Sequence, residues 1–159
     1  MAREDILCDD YPVSKYYVRE KAEMCAVTIP GDSPTTLVCV YTQPSASDTT
    51  LIQQLGLLYD EITKDKKQQV LMIGDFNAHE EEWLKSTKTD ATGKATREFC
   101  EARGLLQLVS RPTRGEAILD LVIGPYDGSV THLPHCGSSD HQTLLVNLTR
   151  ILELPIAAP

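Results

Sequence analysis

The stretch Val70-Leu71-Met72-Ile73-Gly74-Asp75-Phe76-Asn77-Ala78-His79 decides the fold. Its run of apolar residues fits a strand covered on both faces, and Gly74 permits a close backbone turn, after which Asp75 and Asn77 emerge together. Polar side chains at the end of a buried strand can serve a site while the strand holds them still. A second polar knot, Ser138-Ser139-Asp140-His141, precedes the apolar run Thr143-Leu144-Leu145-Val146, so a carboxylate and an imidazole also stand at a strand boundary. Two such strand ends can face one pocket.

Working outward, residues 24–29 and 36–41 are apolar and β-branched. Pro30-Gly31-Asp32-Ser33-Pro34 between them is turn chemistry, which predicts a hairpin. After Pro44, Ser47 or Asp48 is expected to cap a helix whose apolar positions Leu51, Ile52, Leu55, Leu58 and Ile62 recur at helical spacing. A polar connection over residues 64–69 leads to Val70. A second helix is expected from about Lys94 to Arg103, ended by Gly104. Residues 105–109 read as extended, and residues 117–123 as a strand interrupted by one acid, Asp120. The turn Gly124-Pro125-Tyr126-Asp127-Gly128 then predicts a hairpin between that strand and Val130-Thr131-His132-Leu133. No internal repeat or low-complexity tract is present, and residues 151–159 read as a frayed tail. The pattern predicts an α/β (α+β) layered domain over residues 1–150 with prominent antiparallel pairing.

A chain of 159 residues has single-domain length and can bury a core without disulfides or metal. Its formal charge of −8 argues against binding nucleic acid by broad electrostatic attraction. A phosphate substrate would need local help, from a divalent cation held by carboxylates and from a basic rim of Lys85, Lys88, Arg111 and Arg114. Those four side chains read equally well as an ordinary solvated face. The five cysteines form no CxxC pair, and Cys25 and Cys39 sit in apolar runs where they pack as small hydrophobes, so a reducing, intracellular setting is expected. With no leader sequence and no apolar segment of membrane-spanning length, neither export nor a membrane partner is expected. The glycosylation triplet Asn147-Leu148-Thr149 then reads as chance.

Asp120 lies between Leu119 and Leu121-Val122-Ile123, where an unpaired carboxylate is costly to bury, so it either faces solvent or has a partner. His141 is a natural partner, because a carboxylate fixes the tautomer of an imidazole that contacts a phosphate. Asp75 can orient or deprotonate water, and the Asn77 amide can donate to a phosphoryl oxygen. Asp140 can hold Mg²⁺, a hard ion that prefers oxygen ligands. Each feature has a plainer reading: an Asp-x-Asn pair is a turn motif in most proteins, and a lone histidine is usually structural. A zinc site from His132, His135, Cys136 and His141 matches no common ligand spacing.

Taken in order, these residues resemble the endonuclease/exonuclease/phosphatase superfamily, and most of all the endonuclease domain of LINE-type non-LTR retrotransposons. The matching pieces are Val40-Tyr41 with Pro44-Ser45, Gly74-Asp75-Phe76-Asn77-Ala78-His79 with Trp83, Gly93, Gly104-Leu105, Arg111-Pro112-Thr113-Arg114, Leu119-Asp120-Leu121-Val122 and Ser139-Asp140-His141. The resemblance implies a partial four-layer α/β sandwich of two mainly antiparallel sheets flanked by helices. It implies a Mg²⁺ (or Mn²⁺) dependent phosphodiester hydrolase acting on DNA through an activated water. Carried over position by position, Asp75 handles the water, Asn77 donates to the phosphate, and His141, held by Asp120, stabilises transition-state charge. Asp140 ligates metal and Tyr41 lies near the phosphate. A reverse transcriptase in a parent polyprotein and a nuclear location follow from the same likeness. Family members carry an earlier Asn strand end and a Gln-Glu motif with a metal glutamate, for which residues 1–23 offer no counterpart; Glu20 and Glu23 lack the strand-end context. The expectation is therefore a domain lacking its N-terminal portion. Alternatives are a catalytically silent remnant or binding fragment of the same fold, and a phosphatase of the same superfamily.

Overall fold

The β-branched runs and the Pro-Gly turn between them form the centre of a mixed sheet in the computed structural model, which describes residues 8–16, 22–44, 49–125 and 128–148. In chain order the elements are β1 (Asp9–Tyr11), a 3-10 turn (Ser14–Tyr16), β2 (Ala22–Ile29), β3 (Thr35–Thr42) and α1 (Thr50–Ile62). They continue with β4 (Gln69–Asp75), α2 (Ala91–Arg103), β5 (Leu106–Gln107), β6 (Asp120–Gly124), β7 (Gly128–Leu133) and β8 (Thr143–Leu148). A six-stranded sheet runs in the order β1-β2-β3-β4-β6-β5, and β7 and β8 form a separate two-stranded sheet. All pairs are antiparallel except β3–β4, which the α1 crossover makes parallel. The architecture is the α/β class read from the sequence, with two mainly antiparallel sheets and flanking helices.

The core forms where helix periodicity meets strand alternation. Leu51, Ile52, Leu55, Leu58 and Ile62 of α1 are buried with Val38 and Val40 of β3 and with Val70 and Met72 of β4. Each such side chain contributes roughly 1.5–3 kcal/mol when fully buried. The helices pack on each other through an edge-to-face contact of Tyr59 with Phe99, whose ring centroids are 6.1 Å apart. Arg103 lies over both rings and forks onto Asp60 at 3.1 and 3.0 Å. Val130, Leu144 and Val146 tie the smaller sheet to the same core.

Three expectations are corrected. Residues 130–133 do not pair with the strand that contains Asp120: both edges of β6 are taken by β4 and β5, and β7 pairs with β8 instead. That strand starts at Asp120 rather than at Ala117, because Ala117 closes a tight bridge with Arg114. Helix α2 starts at Ala91, not Lys94, because Asp90 caps it by accepting from Gly93 N at 2.7 Å, an arrangement worth about 1 kcal/mol. Gly93 is needed there, since a Cβ would lie 1.9 Å from the His79 carbonyl oxygen. Ser47 and Asp48, expected to cap α1, lie outside the described residues, as do the turn residues Tyr126 and Asp127 and the tail over 151–159. No helix among the described residues is long and apolar enough to cross a membrane.

Candidate active site

The site is built on register. Tyr41 of β3 is the partner of Asp75 on β4, and Asp75 is the partner of Asp120 on β6, so three of the candidate side chains fall in one row across adjacent strands. Glu23, read from the sequence as lacking a strand-end context, extends the row as the partner of Tyr41 on β2, near the start of that strand rather than at its end. Glu20 lies outside the described residues. Gly74 lets β4 run this close to β3: its φ is +139° and a Cβ would meet the Val40 carbonyl oxygen at 1.9 Å. Buried Phe76 then donates its backbone N–H to the Leu119 carbonyl at 2.9 Å, which fixes the end of β4 beside the start of β6.

Asp75 and Asp120 are therefore cross-strand neighbours, and His141 arrives between them from the loop joining β7 to β8. His141 Nδ1 lies 2.8 Å from Asp120 Oδ2, which makes the Nδ1–H tautomer the one that satisfies this bond. The opposite nitrogen, Nε2, is 3.9 Å from Asp75 Oδ2 and 4.0 Å from Asp140 Oδ1. One ligand atom from each of Asp75, Asp120 and His141 lies within 4.8 Å of the others. The side chains are 16%, 21% and 24% exposed respectively, open enough for substrate yet shielded enough to keep their electrostatics strong.

Burial pushes the Asp75 carboxyl above the usual carboxylate range, and the neighbouring Asp120 charge adds to the effect. The Asn77 backbone N–H, which donates to Asp75 Oδ1 at 3.1 Å, and the His141 ring pull the other way. Asn77 itself turns through φ 45° and is buried; its side-chain amide nitrogen donates to the Thr42 carbonyl at the end of β3, and the same side chain also bears on Asp75, helping to lower its carboxyl. Asp140 stands outside the cluster, with Oδ2 2.7 Å from Arg114 Nε. Although desolvation opposes it, the Arg114 guanidinium holds the Asp140 carboxyl below its usual range. Tyr41 is 45% exposed at the rim.

The residue whose part the sequence did not indicate is Thr113. Fully buried, its hydroxyl accepts the backbone N–H groups of Leu119 and Asp120, each at 3.1 Å, while its carbonyl accepts from Gln142 N at 2.8 Å. One residue thus fixes the strand that carries Asp120 and the loop that carries His141. The available signal was its place beside Pro112, which forbids regular structure before it. The other segment behind the site, residues 78–90, is braced by Asp90 Oδ1, which accepts from His79 N at 3.3 Å, and by Glu80, which accepts from Trp83 N and pairs with Arg97 at 3.0 Å. Among the described residues, His132, His135 and Cys136 join no metal-ligating cluster with His141.

A search of the curated proteins finds no match. Among solved structures, the endonuclease domain of TRAS1, a telomere-specific non-LTR retrotransposon, superposes with a TM-score of 0.74 at 20% identity, over 92% of this chain and 70% of that one. The cytolethal distending toxin of Haemophilus ducreyi superposes with a TM-score of 0.53 at 15% identity, over 82% of this chain and 59% of that one. D. rerio TDP2 complexed with single strand DNA product gives 0.52 at 9% identity, over 87% and 65%. At these identities the likeness establishes the fold. The family profile described as endonuclease-reverse transcriptase matches residues 35–145, from the first residue of β3 through the Asp75 strand end, Asp120 and His141 into β8. That match spans well over half the sequence and every residue of the acid–imidazole cluster, and the chain belongs to the endonuclease-reverse transcriptase family.

Proposed function

We propose that the chain is a divalent-metal-dependent phosphodiesterase of the retrotransposon endonuclease type, acting on DNA. The observation that carries this reading is the convergence of Asp75, Asp120 and His141, from two strand ends and one loop, within 4.8 Å. The DNA in the TDP2 structure and the retrotransposon origin of the TRAS1 domain support the substrate class.

The donor set fits a hard cation. Asp75 and Asp120 are adjacent carboxylates with no lysine or arginine paired to either among the described residues, and His141 is the one group between them that can carry positive charge. Asp140, on release from Arg114, would hold Mg²⁺ (or Mn²⁺) beside the cluster, and the ion would supply charge stabilisation at the phosphate. The residues of this chain do the rest. Asp75, with its proton affinity raised by burial, orients the water and takes its proton as the water oxygen bonds to phosphorus. One ester P–O bond breaks, and its oxygen leaves with a proton from solvent. His141, fixed by Asp120, donates from Nε2 to a phosphoryl oxygen when protonated, and the Asn77 amide turns one hydrogen from Asp75 to the phosphate. Tyr41 borders the phosphate from the next strand.

The reading also implies a parent polyprotein with a reverse transcriptase, and a nuclear site of action on chromosomal DNA. The experiment is nicking of supercoiled plasmid in Mg²⁺ by the chain, by Asp75→Ala and by His141→Ala. Nicking lost in both variants supports the proposal. Equal trace nicking in all three preparations would instead mark a contaminant and leave a silent binding fragment as the better description.

A further inference from the structure

Beside the acid–imidazole cluster lies a cleft of about 540 Å³ bordered by Arg111, His132, Leu133, His135 and Gln142, within the range of roughly 300–1,000 Å³ typical of small-ligand sites. It shares a wall with the loop that presents His141. His135 Nδ1 lies 2.9 Å from the His141 carbonyl oxygen and its Nε2 lies 2.8 Å from Gln142 Nε2. The amide donates and the carbonyl accepts, so His135 is the Nδ1–H tautomer and clamps the two ends of the loop together. Whatever enters the cleft is therefore a close neighbour of whatever His141 touches.

The cleft is cationic in a protein of formal charge −8. Arg97, Arg103 and Arg114 are each paired to carboxylates, whereas Arg111 has no carboxylate partner among the described residues. Its charge reaches inward: burial first, and Arg111 second, push the His132 ring below the usual histidine range. His132 Nε2 is buried without a hydrogen-bond partner. An exposed, unneutralised guanidinium at the mouth of a cleft, with an apolar side chain and a flat ring beside it, presents a charge for a phosphate and surfaces for a base.

Resting on the phosphodiesterase reading, we propose that this cleft is a flanking nucleotide subsite: it holds a nucleotide of the substrate strand next to the scissile phosphate, with that nucleotide's phosphodiester on Arg111. Leu133 and the His135 ring bear on its sugar or base. The subsite lets an acidic chain hold DNA locally, without a basic surface.

The test measures binding of a fluorescent DNA duplex by anisotropy in EDTA, so that turnover plays no part, for the chain, for Arg111→Ala and for Lys66→Ala in the exposed connection that precedes β4. Arg111→Ala is expected to bind roughly tenfold more weakly and to lower the salt slope by about 0.9, the contribution of one phosphate contact, while Lys66→Ala does neither. Duplexes carrying a single uncharged methylphosphonate at successive positions should show one position that weakens the parent chain and leaves Arg111→Ala unaffected. If Arg111→Ala matches the parent in affinity and slope while Asp75→Ala still abolishes nicking, the subsite is refuted and the activity stands. If the parent chain nicks no better than Asp75→Ala, the phosphodiesterase reading falls and takes the subsite with it.

Discussion

Replacing Asp120 by asparagine tests the centre of the site, because it keeps the shape and an acceptor while removing the charge. The bond it alters joins Asp120 Oδ2 to His141 Nδ1 at 2.8 Å, between side chains only 21% and 24% exposed, so solvent screens it weakly. A hydrogen bond to a charged group contributes about 1.5–3 kcal/mol and a neutral one about 0.5–1.5 kcal/mol, so the exchange removes roughly 1–1.5 kcal/mol. If His141 bears charge only as the phosphate reacts, that loss falls on kcat/KM as about a tenfold decrease, at 1.4 kcal/mol per decade. Asp120→Ala removes the whole bond and should lower it by roughly 10–100-fold. A second readout follows from the register. Asp120 is one of the causes that raise the Asp75 carboxyl, so removing its charge moves the acid limb of the pH–rate profile, where Asp75 must lose its proton, to lower pH. Plasmid nicking followed from pH 4 to 8 measures both. An Asp120→Ala variant as fast as the parent, with an unmoved acid limb, would refute the reasoning.

Asp75→Asn should abolish nicking yet raise stability at neutral pH by on the order of 1 kcal/mol, as expected when a buried functional charge is removed. The sign follows from the raised carboxyl: the folded state binds the proton more tightly than the unfolded one, so the charged form weakens the fold above that raised value, and the gain should vanish as pH falls towards 3.8. Urea unfolding at pH 7 and pH 4 measures the difference, and an equal gain at both would count against it. Gly74→Ala should cost at least about 3 kcal/mol, since a Cβ 1.9 Å from the Val40 carbonyl oxygen and a φ of +139° cannot both be accommodated; a midpoint close to the parent's would contradict the packing of β3 on β4. Thr113→Val leaves the N–H groups of Leu119 and Asp120 without their acceptor at a cost of roughly 1–3 kcal/mol, and should lower nicking in the part of the population that remains folded. Thermal melts beside single-turnover nicking separate the two effects.

The elements legible in the sequence were those whose signal is local. The unbroken apolar run before Gly74, the helical spacing from Leu51 to Ile62 and the turn at Pro30-Gly31 each specify their own geometry, and β4, α1 and the β2–β3 hairpin follow from them. The partnership of Asp120 with His141 was legible because a carboxylate inside an apolar strand demands a partner. What stayed hidden depends on distant parts of the chain. The pairing of β7 was misread because chain neighbours usually pair, and only the completed sheet shows that β5 already occupies the free edge of β6. The first turn of α2 contains Thr92 and Gly93, poor helix formers, and is held by the Asp90 cap and by close packing on His79. The pairing of Asp140 with Arg114 spans 26 positions and has no periodic signature.

The row Glu23–Tyr41–Asp75–Asp120 has a consequence for how this chain can change in length. Side chains on a strand alternate between faces, so removing one residue within β4 reverses the phase of everything beyond the cut and turns the acid at its end towards the helices. Removing two preserves parity and shortens the strand without reversing it. The exposed connection at Lys64–Lys67, which lies before the pairing starts, obeys no such arithmetic. Natural variants should therefore vary freely in length there, while strands β3, β4 and β6 should change by even steps or not at all.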